Sequence, residues 1–230
     1  MELFGRYAED DLSGFSIRDL KYGRARLAVL GAFSRAIREK SYEDIWIKDL
    51  CRAAEISEPG FYNYFPKKEY LFTYFIDLWS IDVKLFSQRV EPGLGRIKEI
   101  YKYSACKVGQ SSNLLSEVIA YQVRKDLQKD AKNMNPVTLA EKNIVFGNVP
   151  GLGKICGGGL NPILKENIRH AIKAKELSSE VSPKMYALIL GALFFGMPVM
   201  QQTPNNLEQY YESAIDLLSE KARGKEKRRK

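Results

Sequence analysis

Tyr62, Asn63 and Tyr64 place three hydrogen-bonding side chains in a row, with Gly60 before them and Lys67 and Lys68 after Pro66. Their chemistry is recognition, not bond-making. Tyrosine hydroxyls bond phosphate or base edges, and asparagine can pair bidentately with adenine. Lys48, on the preceding helical pattern, can reach a base or a phosphate from the side. Gly60 lowers helix propensity by about 1 kcal/mol relative to alanine, yet it lets a backbone lie close to a groove.

Two short helices must hold these groups. Ile47, Leu50, Cys51 and Ala54 follow the spacing of one buried helix face, which turns Lys48, Asp49 and Arg52 outward. Glu55, Ile56 and Ser57 interrupt that pattern. Ser57, or Glu58 directly before Pro59, can cap a second helix over 58–65, and Pro59 fits a first turn whose amides lack intrahelical partners. Phe61 and Phe65, four apart, form its inward side, and Gly60, Tyr62, Asn63 and Tyr64 face away. Lys67 and Lys68 stand at the predicted start of a third helix, over 67–90, where their charge opposes the helix dipole unless an anion such as a DNA phosphate shares the site. Two helices joined by a tight break in this way form a helix-turn-helix DNA reader.

Residues 26–75 resemble the amino-terminal domain of the TetR family of bacterial and archaeal transcriptional regulators. Leu27, Leu30, Phe33 and Ile37 are similar to the family's first helix, and Ser41 and Tyr42 to its helix-ending turn. Ile47-Lys48-Asp49-Leu50, Ala53-Ala54 and Ile56-Ser57 lead at the family's spacing into the run from Phe61 to Glu69 without a gap. The resemblance implies that Pro59, Gly60, Tyr62, Asn63 and Tyr64 face the major groove. It also implies that Lys48 is a contact from the second helix and that Lys68 grips a phosphate.

Four positions depart from the family pattern. Ile45 and Trp46 stand where a small hydroxyl residue usually caps the second helix, and Glu55 stands where a glycine usually precedes the hydrophobic residue of the turn. Glu58 opens the reading helix with a charge that repels phosphate, though it can accept a hydrogen bond from a cytosine amino group.

The formal net charge of +8 would be a nucleic-acid signature if it were spread over a face. It is not. The last ten residues hold seven basic side chains and one glutamate, so only about +2 is left for the remaining chain, and 221–230 is expected to be a basic disordered tail. Cys51, Cys106 and Cys156 form no paired motif, which points to a reducing compartment without disulfide or zinc framework. With no signal-peptide pattern, and with the apolar run over 187–200 short and broken by glycines and a proline, a cytoplasmic protein without a membrane span is expected.

Catalytic chemistry has little to work with, and neither enzyme activity nor a cofactor or metal is expected. Residues 147–159 miss the phosphate-loop spacing by one residue and have Ile155 where a hydroxyl belongs. They are expected to form a loop between helices, and a nucleotide-dependent enzyme using that loop is the least favoured alternative. His170, the sole histidine, has no triad partner at sequence level.

The expected fold is all-α. Its predicted parts are an arm or extra helix over 1–20, a helix-turn-helix domain over 21–70 and a larger helical ligand-binding and dimerisation domain over 71–220. Further helices are predicted over 94–108 and 113–129. Late in the chain one helix opens at Ser182-Pro183 and another at Asn205 or Asn206. The resemblance implies that these last two form a homodimer, which would read a near-palindromic operator in double-stranded DNA. It also implies repression relieved by a small apolar or aromatic effector, for which Tyr101, Tyr103, Tyr121 and Phe146 are candidate wall residues. A DNA-bound structural or cell-division factor controlled by a protein partner is the rival reading on the same fold.

Overall fold

In the computed structural model the described residues are Phe4, 12–108, 112–124, 134–200 and 206–227, and every regular element among them is helical. The α-helices are α1 (Ile17–Glu39), α2 (Ile47–Ala53), α3 (Glu58–Tyr64), α4 (Tyr70–Ser87), α5 (Leu94–Val108), α6 (Ser112–Val123), α7 (Leu139–Phe146), α8 (Leu160–Lys173), α9 (Pro183–Met200) and α10 (Leu207–Lys227). They divide into two compact units, one of residues 1–82 with 111–157, the other of 83–110 with 158–230. This division groups α6 and α7 with the amino-terminal helices, whereas the boundary expected from the sequence lies near residue 70.

Side-chain chemistry on α6 and α7 explains that grouping. Asn113 Nδ2 donates to the Arg38 carbonyl at the end of α1, and the Glu117 carboxylate accepts the Tyr42 amide at 3.1 Å. Arg124 pairs with Glu43 at the surface. Helix α7 starts with a capping box in which Thr138 and Glu141 satisfy each other's free backbone amides. Its Glu141 then reaches into the core, where the Arg26 guanidinium lies 3.1 Å away, both side chains fully buried. Arg26 also donates to the carbonyls of Asn135 and Pro136, and the Tyr74 hydroxyl donates to Glu141 at 2.6 Å. Burial, then the Glu141 charge, pushes the Tyr74 phenol well above its ordinary pKa, so it stays a donor.

Close approach of α1 to α7 depends on Gly23. A Cβ there would lie 3.0 Å from the Glu141 side chain and 3.1 Å from that of Ile144. Phe4 is buried against Phe75 and Phe146, with ring centroids 5.9 and 6.1 Å apart. The predicted arm over 1–20 is otherwise described only from residue 12, and α1 already begins at Ile17 behind a Ser16 cap.

The second unit packs α5, α8, α9 and α10 together. Tyr101 and Tyr211 sit at its centre, donating to the carbonyls of Leu190 and Phe194 on α9. Tyr186, Leu190 and Phe194 form the inward stripe of α9, and Leu207, Tyr211 and Ile215 that of α10. Lys98 and Lys102 of α5 pair with Asp216 and Glu212 of α10. Helix α10 continues through Lys227, so the tail predicted to be disordered from 221 is helical over its first seven residues. Alanine, lysine, arginine and glutamate favour helix, and basic charge near a helix C-terminus interacts well with the dipole.

Helix α2 ends in a Schellman-type turn, with the Ile56 amide bonded to the Cys51 carbonyl at 3.0 Å. Glu55 lies in it at φ 56°, a left-handed conformation in which a side chain costs about 1–2 kcal/mol. Glu55→Gly is accordingly expected to raise stability by about 1 kcal/mol. Urea unfolding would show this as a higher midpoint at constant slope, and a lower midpoint would contradict the strain. Arg26→Ala, which leaves Glu141 buried without its countercharge, is expected to lower stability by about 3–5 kcal/mol in the same measurement. A loss below about 1 kcal/mol would show that the pair does not anchor this unit.

Candidate nucleic-acid interface

Helix α3 is held from beneath. Ser57 is its N-cap, accepting the Gly60 amide at 3.1 Å, and Pro59 occupies the first turn as predicted. Phe61 and Phe65 are fully buried with centroids 5.7 Å apart, each burial contributing about 1.5–3 kcal/mol. Phe65 also rests against the Tyr74 ring and under the Arg26 guanidinium, 5.2 Å from its centroid. The helix cannot rotate about its axis without breaking that base.

Its other side faces out. Tyr62 is 51% exposed, Asn63 and Pro59 are exposed, and Gly60 is half-buried with only the Ser57 hydroxyl within reach of an added Cβ. An outer face so free of bulk lets a groove approach the backbone. Tyr64 is half-buried, its ring edge-on to Tyr22 at 5.3 Å, so α1 fixes its direction. Glu58 is exposed at the first helical position. Lys48 is exposed on α2, with its ammonium 5.9 Å from the Trp46 ring.

Lys68 is placed differently from expectation. Helix α4 begins only at Tyr70, and the Lys68 ammonium turns back to donate to the carbonyls of Tyr42 and Ile45, each at 2.9 Å, over the Tyr42 ring at 4.0 Å. Burial lowers its pKa, while the carboxylates of Glu43, Glu69, Asp44 and Glu117 act in the opposite sense. The two carbonyls occupy two of its three N–H donors. Its evident work is to tie the turn before α2 to the chain leading into α4.

Sequence reasoning missed the weight of Trp46. It is the residue before α2, caps no amide with its side chain and is 63% exposed. A tryptophan in place of a hydroxyl cap was the visible signal.

The four candidate effector residues are divided between the two units. Tyr101 and Tyr103 belong to one unit, Tyr121 and Phe146 to the other. Tyr101 is engaged in the α9 and α10 core, and Tyr103 stacks on Phe86 at 4.1 Å. Tyr121 stacks on Phe72 at 5.0 Å and shares a hydrogen bond with Thr73, and Phe146 is fully buried. Buried aromatic residues on helix faces look alike in sequence whether they line a cavity or fill a core. Residues 147–159 form the connection from α7 to α8, with a short 3-10 turn over Leu152–Lys154, and His170 is exposed near the end of α8.

Comparison with known proteins agrees with this geometry. A family model described as bacterial regulatory proteins of the tetR family matches residues 30–75, which hold the end of α1, all of α2 and α3 and the start of α4. None of the curated proteins matches the chain. Among solved structures, a TetR transcriptional regulator from Rhodococcus sp. RHA1 aligns over 86% of this chain and 97% of its own, at 13% identity and a TM-score of 0.42. That likeness is too distant to bear weight. The helix-turn-helix carries the assignment: residues 30–75 match the model of the amino-terminal domain of tetR-family bacterial regulatory proteins.

Proposed function

We propose that the chain is a homodimeric repressor that reads a near-palindromic operator with Tyr62, Asn63 and Tyr64 of α3, flanked by Pro59, Gly60 and Lys48. The observation that carries this reading is the outer face of α3, which presents Tyr62 and Asn63 to solvent from a helix locked by Phe61 and Phe65. Asparagine on such a face can pair bidentately with adenine, and tyrosine can bond phosphate or a base edge. Lys68 enters as a support for the reader, with at most one remaining N–H for phosphate.

The dimer reading is supported by α9. This helix is long and apolar enough to cross a membrane by length and composition, yet little of it is buried. Met185, Leu188, Val199 and Met200 are exposed on it, and Tyr210 and Leu217 on α10. Ile189, Ala192, Leu193, Gly196 and Met197 line an open apolar groove together with Tyr210. Contiguous apolar surface of this kind marks an interface, and two copies of the same patch fit a two-fold contact. That dimer would set two α3 helices about 34–36 Å apart, one turn of DNA.

A small apolar or aromatic effector belongs to this reading through the family likeness. To act as a switch it must bind the DNA-competent and incompetent spacings with different affinity. Tyr101 and Tyr103 in one unit, and Tyr121 and Phe146 in the other, are the residues proposed for its walls. The cytoplasm, where the chromosome is accessible, is the proposed place of action.

A duplex selected by the wild-type protein from a randomised pool provides the probe. Asn63→Ala is expected to weaken binding to it by about 1–3 kcal/mol and to relax preference at one base position in each half-site, as read by fluorescence anisotropy. Unchanged affinity and preference in both Asn63→Ala and Tyr62→Ala would contradict the reading. Leu188→Glu, placing a charge on the exposed face of α9, is expected to convert a dimer into a monomer in sedimentation velocity and to weaken operator binding with it. A variant that stays dimeric would move the interface elsewhere.

A further inference from the structure

Trp46 is left unexplained by the fold. Its neighbour Ile45 is buried, and the backbone around both is held from within: the Ile45 carbonyl takes the Lys68 ammonium, and the Trp46 carbonyl takes the amides of Asp49 and Leu50. The indole nonetheless projects outward, 63% exposed, from this fixed point. Tryptophan is highly buried on average, and an exposed one on rigid backbone is prearranged for a partner.

Position and chemistry identify the partner, given the DNA-reading role proposed for α3. In a helix-turn-helix the first helix crosses the sugar-phosphate backbone while the second enters the major groove. Trp46 stands at the start of that first helix, beside the exposed Lys48, whose ammonium lies 5.9 Å from the indole. We infer that Trp46 is a further DNA contact, its ring face packing on a deoxyribose and its indole N–H donating to a phosphate, with Lys48 alongside. An indole offers one donor and a large flat apolar surface, which suits a sugar-phosphate edge and carries no base code. Trp46 therefore positions the reader and leaves the choice of sequence to α3.

The chain holds a second tryptophan, Trp79, half-buried in α4. Trp79→Phe makes Trp46 the sole indole. Titrating that variant with the selected duplex, while anisotropy of a labelled strand reports binding, is expected to give a saturable change in tryptophan emission that follows the anisotropy. Trp46→Phe in the otherwise native chain is the paired control, in which the Trp46 part of the change must vanish. Trp46→Ala is expected to weaken selected and random duplexes alike, by about fivefold or more, with the helical circular dichroism unchanged. Flat Trp46 emission while anisotropy reports binding overturns the inference and leaves the DNA-reading role standing. So does a Trp46→Ala variant that binds like wild type, whereas failure of the wild-type chain to select any duplex removes both.

Discussion

The fully buried pair of Arg26 and Glu141 is the constraint on which the DNA-reading unit depends. Taking two charges out of water costs several kcal/mol per ion, and their attraction offsets this only when geometry and hydrogen bonding are good. Here the supporting partners are close at hand: Tyr74 and the Thr138 amide on Glu141, and the carbonyls of Asn135 and Pro136 on Arg26. Such a pair contributes little net stability and a great deal of geometry. It permits one arrangement of α1, α4 and α7 and penalises the others.

That geometry extends to the reading helix. The Arg26 guanidinium also lies over the rings of Tyr74, Phe65 and Tyr22, at 4.2, 5.2 and 5.5 Å. Phe65 closes α3, and Tyr22 meets the edge of Tyr64 on it. One buried cation thus connects α7, which the chain supplies more than a hundred residues later, to the base on which Tyr62 and Asn63 are presented. Lys68 does the equivalent work on the other side by tying the turn before α2 to the approach to α4. Recognition needs side chains held to fractions of an ångström, and both lysine and arginine here serve that precision from inside the protein.

How much of this was legible in the sequence follows from the range of each interaction. The reader itself was legible because its determinants are local: Leu50 and Cys51 inward, the Ser57 cap, Pro59 in the first turn, Phe61 and Phe65 four apart. Glu55 was visible as a departure, and its left-handed φ gives that departure a physical cost. The partners of Lys68 lie 23 and 26 residues away and those of Arg26 over a hundred, so no spacing rule could find them. A helix dipole argument offered Lys68 a phosphate and could not foresee the two carbonyls that it reaches. Tyr101 and Tyr121 show the complementary limit, since aromatic residues on a helix face do not reveal whether they meet a ligand or each other.

The central claim is that two copies of this reader meet one duplex, each placing α3 in a major groove. Hydroxyl-radical footprinting of the selected duplex tests that most directly, because it reports the backbone positions that the protein covers. Two dyad-related protected patches are expected on one face of the DNA, with centres about one helical turn, 10–10.5 bp, apart. A single patch, or protection spread evenly around the duplex, would contradict it.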